Sequence, residues 1–363
     1  WLLILLMTLF AVALFAGGSY VQGILLCGVI IVLIYWPRKY LFRVFGKGPS
    51  RVLRLIVIIM LFIPLIIINK NSPKTSIYKT GAGQEEIYNI YNDKMEDWSH
   101  DYLDIYVETT YGTVHVVAVG DENKKPILLL HAASMGAHSW AENLPPLIND
   151  YRIYAIDNPG EGNKSQLNNA LEFPRTPEEI SRLYASICDS LHIASSPVIA
   201  ASNGGFLAMN YAYYNPERVE SLTLLGPMGI MPLSGGSIFM MSIASMYPFQ
   251  WIYDKTRLWA LGSDGYVNSK YGDWFEAILK HTVPSLAAPV PMTTEQKQKM
   301  DLPILLILGT KDPLVGDADT AAEVAREFPN IRIEILDSSH IIGVEKAEIV
   351  NEMIGEFLET GGR

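Results

Sequence analysis

Residues 1–80 contain nine Lys and Arg and not one Asp or Glu, and most of the other positions there are aliphatic or aromatic. The other 283 residues carry 19 basic side chains against 38 acidic ones. A chain divided in this way is not one uniform globule. A basic, apolar N-terminal part precedes an acidic part long enough to build its own core. The net charge of −10 disfavours a nucleic-acid partner, and 49% hydrophobic residues with 18% charged exclude a disordered chain. Two cysteines, Cys27 and Cys188, make no disulfide framework; Cys188 reads as a small buried apolar residue.

The N-terminal part predicts three membrane-spanning helices, 2–16, 20–36 and 52–69. Residues 1–16 are almost wholly apolar, Gly17-Gly18-Ser19 interrupts them, and 20–36 are apolar apart from Gln22. One helix over all of this would be about 54 Å long against a hydrocarbon core of about 30 Å, so a tight helical hairpin is expected. Pro64 interrupts the third stretch, which a membrane helix tolerates. A cleaved signal peptide is the alternative for 1–16, but no small-x-small site precedes Gly17. The loop between the second and third stretches carries Arg38, Lys39, Arg43, Lys47, Arg51 and Arg54 with no acid. Such a loop stays in the cytoplasm, which sends the acidic part to the other side, although Lys70, Lys74 and Lys79 weigh the other way. The expectation is a multi-pass cell-membrane protein, with lipids around residues 1–69 and an extracytoplasmic acidic domain.

Residues 70–100 are polar and without a sustained period, and read as a tether. Beyond them strand-like and helix-like segments alternate. Residues 102–108 and 113–119 flank Tyr111-Gly112 as a hairpin. Short apolar runs at 126–131, 152–156, 197–201, 221–225, 304–308 and 332–336 suit strands buried on both faces. Helical patterns lie between and after them at 177–191, with Thr176 as N-cap, and at 203–214, 320–327 and 344–358. A leading hairpin followed by this alternation predicts an α/β fold with a mostly parallel sheet and flanking helices. Residues 228–300 break the rhythm with seven of the 13 Met, Trp251, Trp259 and Trp274, and no clear strand. They read as a helical lid whose Met and aromatic side chains form an apolar acyl pocket, or as ordinary core between lid helices. The expected core is therefore 101–227 with 301–363, interrupted by the lid.

The stretch from Val198 to Gly205 ends a buried strand in a serine and small residues just before a helix. Ser202 there stands on a sharp strand-to-helix turn that demands small neighbours, here Ala200 and Gly204, and the helix start offers backbone N–H groups to an oxyanion. A plain helix cap is the other reading of Ser202. A nucleophilic hydroxyl needs a histidine base, and that histidine needs an acid to fix its tautomer. Asp312 lies just beyond one late strand and His340 just beyond the next, both at the edge where open α/β sheets place their sites. Asp317, Asp319 and Asp337 are alternative acids, and His131 and His138 competing histidines. His131 reads as structural and His138 as an exposed or pocket-rim residue.

With Ser202, Asp312 and His340 in that chain order, residues 101–358 resemble the α/β-hydrolase superfamily. Leu128-Leu129-Leu130-His131-Ala132-Ala133, followed by Ser134 and Trp140, resembles the strand-His-Gly loop that supplies one oxyanion N–H. Asp157-Asn158-Pro159-Gly160-Glu161-Gly162-Asn163-Lys164-Ser165 resembles the loop after the next strand. Ala132 and Ala200 replace the usual glycines. The resemblance implies Ser202 as nucleophile, His340 as general base and then acid, Asp312 as orienting carboxylate, and the N–H groups of Asn203 and Ala133 as oxyanion donors. No metal or cofactor is implied, since the sequence has no His-Glu-x-x-His helix, Cys cluster or phosphate-binding loop. The expected function is a membrane-anchored serine hydrolase that cleaves an ester of a small or lipid-like apolar acyl group. An amidase or peptidase, a carbon–carbon bond hydrolase or an acyltransferase would use the same triad, and a non-catalytic membrane-bound binding protein would share the fold.

Overall fold

The computed structural model describes residues 75–233, 237, 250–262, 265–283 and 285–361. All of them belong to the second of the two units into which the chain divides, Pro73–Arg363. The expected spans 2–16, 20–36 and 52–69 lie outside the described residues. Among the described residues, no helix is long and apolar enough to cross a membrane.

Residues expected as a tether are in part a helix. In α1 (Gly81–Met95) Thr80 caps the start by accepting the Gly83 N–H, and Gly83, Ile87, Tyr91 and Met95 are buried at a strict four-residue spacing. With the partly buried Tyr88 and Ile90 beside them this is an apolar face, hidden in the sequence by the poor helix formers Gly81, Gly83, Asn89, Asn92 and Asp93. It is enough to lay the helix on the domain, because Ile87, Tyr91, Met95 and the following Trp98 join one core cluster with Tyr271, Trp274 and Ile278.

The sheet begins with the hairpin of β1 (Tyr102–Thr109) and β2 (Gly112–Val119), paired antiparallel from Tyr102 opposite Val119 to Thr109 opposite Gly112. β3 (Lys125–Leu130), β4 (Tyr151–Ile156) and the two-residue β5 (Gln166–Leu167) follow. Next come α2 (Pro177–Ser190), β6 (Ser196–Ala201), α3 (Asn203–Tyr214) and β7 (Val219–Leu225). Within 228–300 the described helices are α4 (Gln250–Leu261), α5 (Gly265–His281) and α6 (Thr294–Lys299). The chain returns through β8 (Ile304–Gly309), α7 (Ala318–Ala325), β9 (Ile331–Leu336), α8 (Ile342–Glu345) and α9 (Ala347–Glu359).

The strands lie in the order β1-β2-β4-β3-β6-β7-β8-β9, with β5 added to β2. β2 pairs antiparallel with β4, and every pair from β4–β3 to β8–β9 is parallel. Helices cover both faces. Val198, Ala200, Leu306 and Leu308 pack on one side with α2, α3 and α7, while Ile199, Leu305 and Ile307 pack on the other with α1, α5 and α9. Burial on both faces is why these strands read as unbroken apolar runs instead of alternating patterns. Parallel strands also end at one edge, so the loops after β3, β4, β6, β8 and β9 meet there.

Candidate active site

At that edge β6 runs directly into α3 through Ser202. Its backbone has φ +50° and ψ −117°, outside the allowed regions of an ordinary L-residue. The turn is held because the Ser202 N–H donates to the Leu225 carbonyl at 3.0 Å, while the Ser202 carbonyl accepts from Gly205 and Met228, both at 2.9 Å. A Cβ at Gly204 would lie 2.2 Å from the Leu130 carbonyl oxygen, so only glycine lets α3 begin this close to β3. The Ser202 side chain makes no cap hydrogen bond with α3. Its Oγ lies 2.8 Å from His340 Nε2 instead.

His340 follows β9, and its Nδ1 lies 2.6 Å from Asp312 Oδ2 in the loop after β8. Asp312 is anchored in turn by the N–H groups of Leu314 and Val315, which donate to its Oδ1 at 2.8 and 3.0 Å. Burial pushes the Asp312 carboxyl up, but the charge and hydrogen bond of His340 and the two backbone donors outweigh it and hold the group below the usual carboxylate range. An ionised Asp312 accepts the Nδ1 proton, which leaves Nε2 to accept the Ser202 hydroxyl proton. All three side chains are buried.

The alternative acids stand elsewhere. Asp317 caps α7 by accepting the Thr320 N–H, Asp319 lies in the first turn of α7, and Asp337 is exposed in an ion pair with Lys311. His131 is structural: Nδ1 donates to the Ala132 carbonyl at 2.8 Å, Nε2 accepts the Asn158 N–H at 2.8 Å, and burial holds its pKa down. His138 corrects the expectation of an exposed or pocket-rim residue. It is buried among Tyr91, Tyr271 and Trp274, with its ring centroid 4.3 Å from that of Trp274. Neither ring nitrogen has a hydrogen-bond partner among the described residues. Burial lowers its pKa to about 3, so it is a neutral packing ring.

The N–H groups of Asn203 and Ala133 have no protein acceptor among the described residues, as oxyanion donors require. The loop carrying Ala133 is fixed by two groups that sequence reasoning passed over. Asp157, just after β4, accepts the Ala137 N–H at 2.7 Å and pairs with His115 Nδ1 at 2.8 Å, while His115 Nε2 pairs with Asp104 at 2.7 Å. Burial alone would lower the His115 pKa, but the hydrogen bonds and charges of Asp157 and Asp104 raise it, so the two carboxylates favour its cationic form. Glu161 accepts the Ser134 N–H at 2.6 Å and the Asn203 side-chain amide at 3.1 Å. The available signal was an acid between two glycines in a loop at the site edge of the sheet.

An apolar recess opens beside Ser202 and His340, walled by Met135, Trp140, Leu225, Ile342 and Val344. Among the described residues, none that lines it belongs to 228–300. No group of His, Cys, Asp and Glu suited to hold a metal occurs among the described residues.

Residues 125–261 match the α/β hydrolase fold family. The carboxylesterase nap of Bacillus subtilis is 27% identical over 298 residues, which cover 76% of this chain and 93% of that protein. Carboxylesterase YbfK of the same organism is 23% identical over 292 residues, with 76% and 94% covered. The solved structure of naproxen esterase from Bacillus subtilis matches with a TM-score of 0.71 and 25% identity, over 77% of this chain and 99% of that one. By its parallel sheet, its serine turn between β6 and α3, and these relatives, the chain has the α/β-hydrolase fold and is a hydrolase.

Proposed function

We propose that the chain is a membrane-anchored serine carboxylic ester hydrolase, which cleaves esters of a small or lipid-like apolar acyl group through an acyl-enzyme on Ser202. The observation that carries this is the continuous line from Ser202 Oγ to His340 Nε2 at 2.8 Å and from His340 Nδ1 to Asp312 at 2.6 Å. Ser202 attacks the ester carbonyl as its proton passes to His340, and Asp312 holds the imidazole and stabilises its cation. The N–H groups of Asn203 and Ala133 take the oxyanion. The tetrahedral intermediate expels the alcohol, which takes the proton from His340. Water, deprotonated by His340, then attacks the acyl carbon and releases the acid.

The ester class is supported by the two carboxylesterase relatives and the apolar acyl group by the walls of the recess. On the same reading residues 1–69 anchor the enzyme, and the basic loop 37–51 keeps the hydrolase domain on the extracytoplasmic side.

The test is hydrolysis of p-nitrophenyl esters of graded acyl length by the full chain and by Ser202→Ala and His340→Ala. Both variants are expected to lose at least about 10³-fold in kcat while keeping the native circular dichroism. A folded Ser202→Ala variant that still hydrolyses these esters at a tenth of the parent rate overturns the proposal.

A further inference from the structure

Glu161 lies in the loop after β4, between Gly160 at φ +86° and Gly162 at φ +83°. Side chains rarely adopt such backbones, and the two glycines let the loop bend so that Glu161 turns inward; it is 1% exposed. One carboxyl oxygen accepts the Ser134 N–H at 2.6 Å and the other accepts the Asn203 side-chain amide at 3.1 Å. Ser134 has φ +60°, a left-handed backbone for a non-glycine residue, and directly follows Ala133. A single carboxyl group therefore holds both backbone stretches whose amides would receive the oxyanion.

We propose that Glu161 is a positioning residue of the oxyanion hole and that it acts in its neutral, protonated form, fixing both donor stretches without placing a negative charge beside the oxyanion. The proposal rests on the acyl-transfer reading of Ser202.

The surroundings favour the neutral form. Among the described residues no Lys, Arg or His pairs with Glu161. The groups that face it are Ser134 from the loop after β3, Asp157 and Asn158 from its own loop, Tyr184 from α2 and Asn203 from α3. Asp157 adds a like charge. Burial first, and Asp157 with it, push the carboxyl up to about 8 against the pull of Ser134 and Asn203. In the neutral acid the carbonyl oxygen accepts the Ser134 N–H, and the hydroxyl donates to the amide oxygen of Asn203 after a half-turn of that side chain. A carboxylate here would sit one peptide unit from the Ala133 amide, and its charge would oppose the developing oxyanion.

The test is kcat and KM for p-nitrophenyl butyrate hydrolysis between pH 6 and 10, using the parent chain, Glu161→Ala and Glu161→Gln, with circular dichroism at each pH. The parent kcat is expected to fall above about pH 8, by roughly tenfold per pH unit. Glu161→Ala should lose about 10- to 100-fold at pH 7, mainly in kcat, because the oxyanion forms only in the transition state. Glu161→Gln, an isostere of the neutral acid, should recover most of that loss and lack the alkaline fall. A Gln variant as impaired as the Ala variant would show that the carboxylate is needed, and a Gln variant that keeps the alkaline fall would assign the ionisation to another group; either result overturns the proposal. A folded parent whose kcat stays level to pH 10 overturns it without any variant. Failure of the underlying reading is separate: it would appear as Ser202-independent hydrolysis or none at all, and the proposal would fall with it.

Discussion

Ser202 occupies a backbone conformation that costs a serine of order 1–3 kcal/mol, and it persists because three backbone hydrogen bonds and the close approach of Gly204 to Leu130 leave the turn no alternative. Gly204→Ala would drive a methyl group into the Leu130 carbonyl. It should lower stability by about 1–3 kcal/mol and unseat the N–H of Asn203, so that esterase activity falls more than the thermal midpoint suggests. Parallel melting curves and kcat values check this. Asp312→Asn keeps the shape of the acid but no longer fixes the His340 tautomer, so kcat should fall by about 10³- to 10⁴-fold with the fold intact. The residues Ser202, Asp312 and His340 were legible in the sequence because each follows an apolar strand and their order is informative. His138 and Glu161 were not legible. What buries His138 comes from α1 and α5, and what makes Glu161 matter is its reach to Ser134 and Asn203; neither is a local property.

At the scale of elements, the central strands were readable because burial on both faces makes each a solid apolar run, whereas α1 was missed because the poor helix formers Gly81, Gly83, Asn89, Asn92 and Asp93 interrupt the face that makes its core contact. Tyr91 is fully buried in that contact. Tyr91→Ala should cost about 3–5 kcal/mol in urea unfolding of the domain, a loss no tether residue could cause. A second element-level device joins β1, β2 and the loop after β4 through Asp104, His115 and Asp157. The folded pKa of His115 is raised, so the stability it contributes is fully present below about pH 6.5 and is lost as pH rises through the folded value. Asp157 is lowered, burial notwithstanding, by His115 and the Ala137 N–H, so its contribution is present above about pH 3.9 and is lost as pH falls through its folded value. The stability gap between the parent and His115→Gln should therefore be widest below about pH 6.5 and should narrow as pH rises from there to alkaline values. A gap that does not change over that range would count against the clamp.

For the whole molecule, the division of charge along the chain separated an apolar basic part from an acidic enzyme, and the strand-helix alternation carried the fold class. The apolar recess beside Ser202 could not be read in the same way. Among the described residues its walls come from 132–143, 201–202, 225 and 340–344, stretches that only the assembled sheet brings together. If residues 1–69 anchor the enzyme as proposed, the full chain should stay with membranes after alkaline carbonate extraction and be released by detergent. Extraction by carbonate would remove the anchor from the account.

The central claim is that Ser202 is an activated nucleophile, and it is tested most directly by treating the full chain with a fluorophosphonate probe and locating the adduct by mass spectrometry. The account predicts a single adduct on Ser202, lost in Ser202→Ala and much slower to form in His340→Ala. An adduct on another serine, or labelling that persists in folded Ser202→Ala protein, would contradict it.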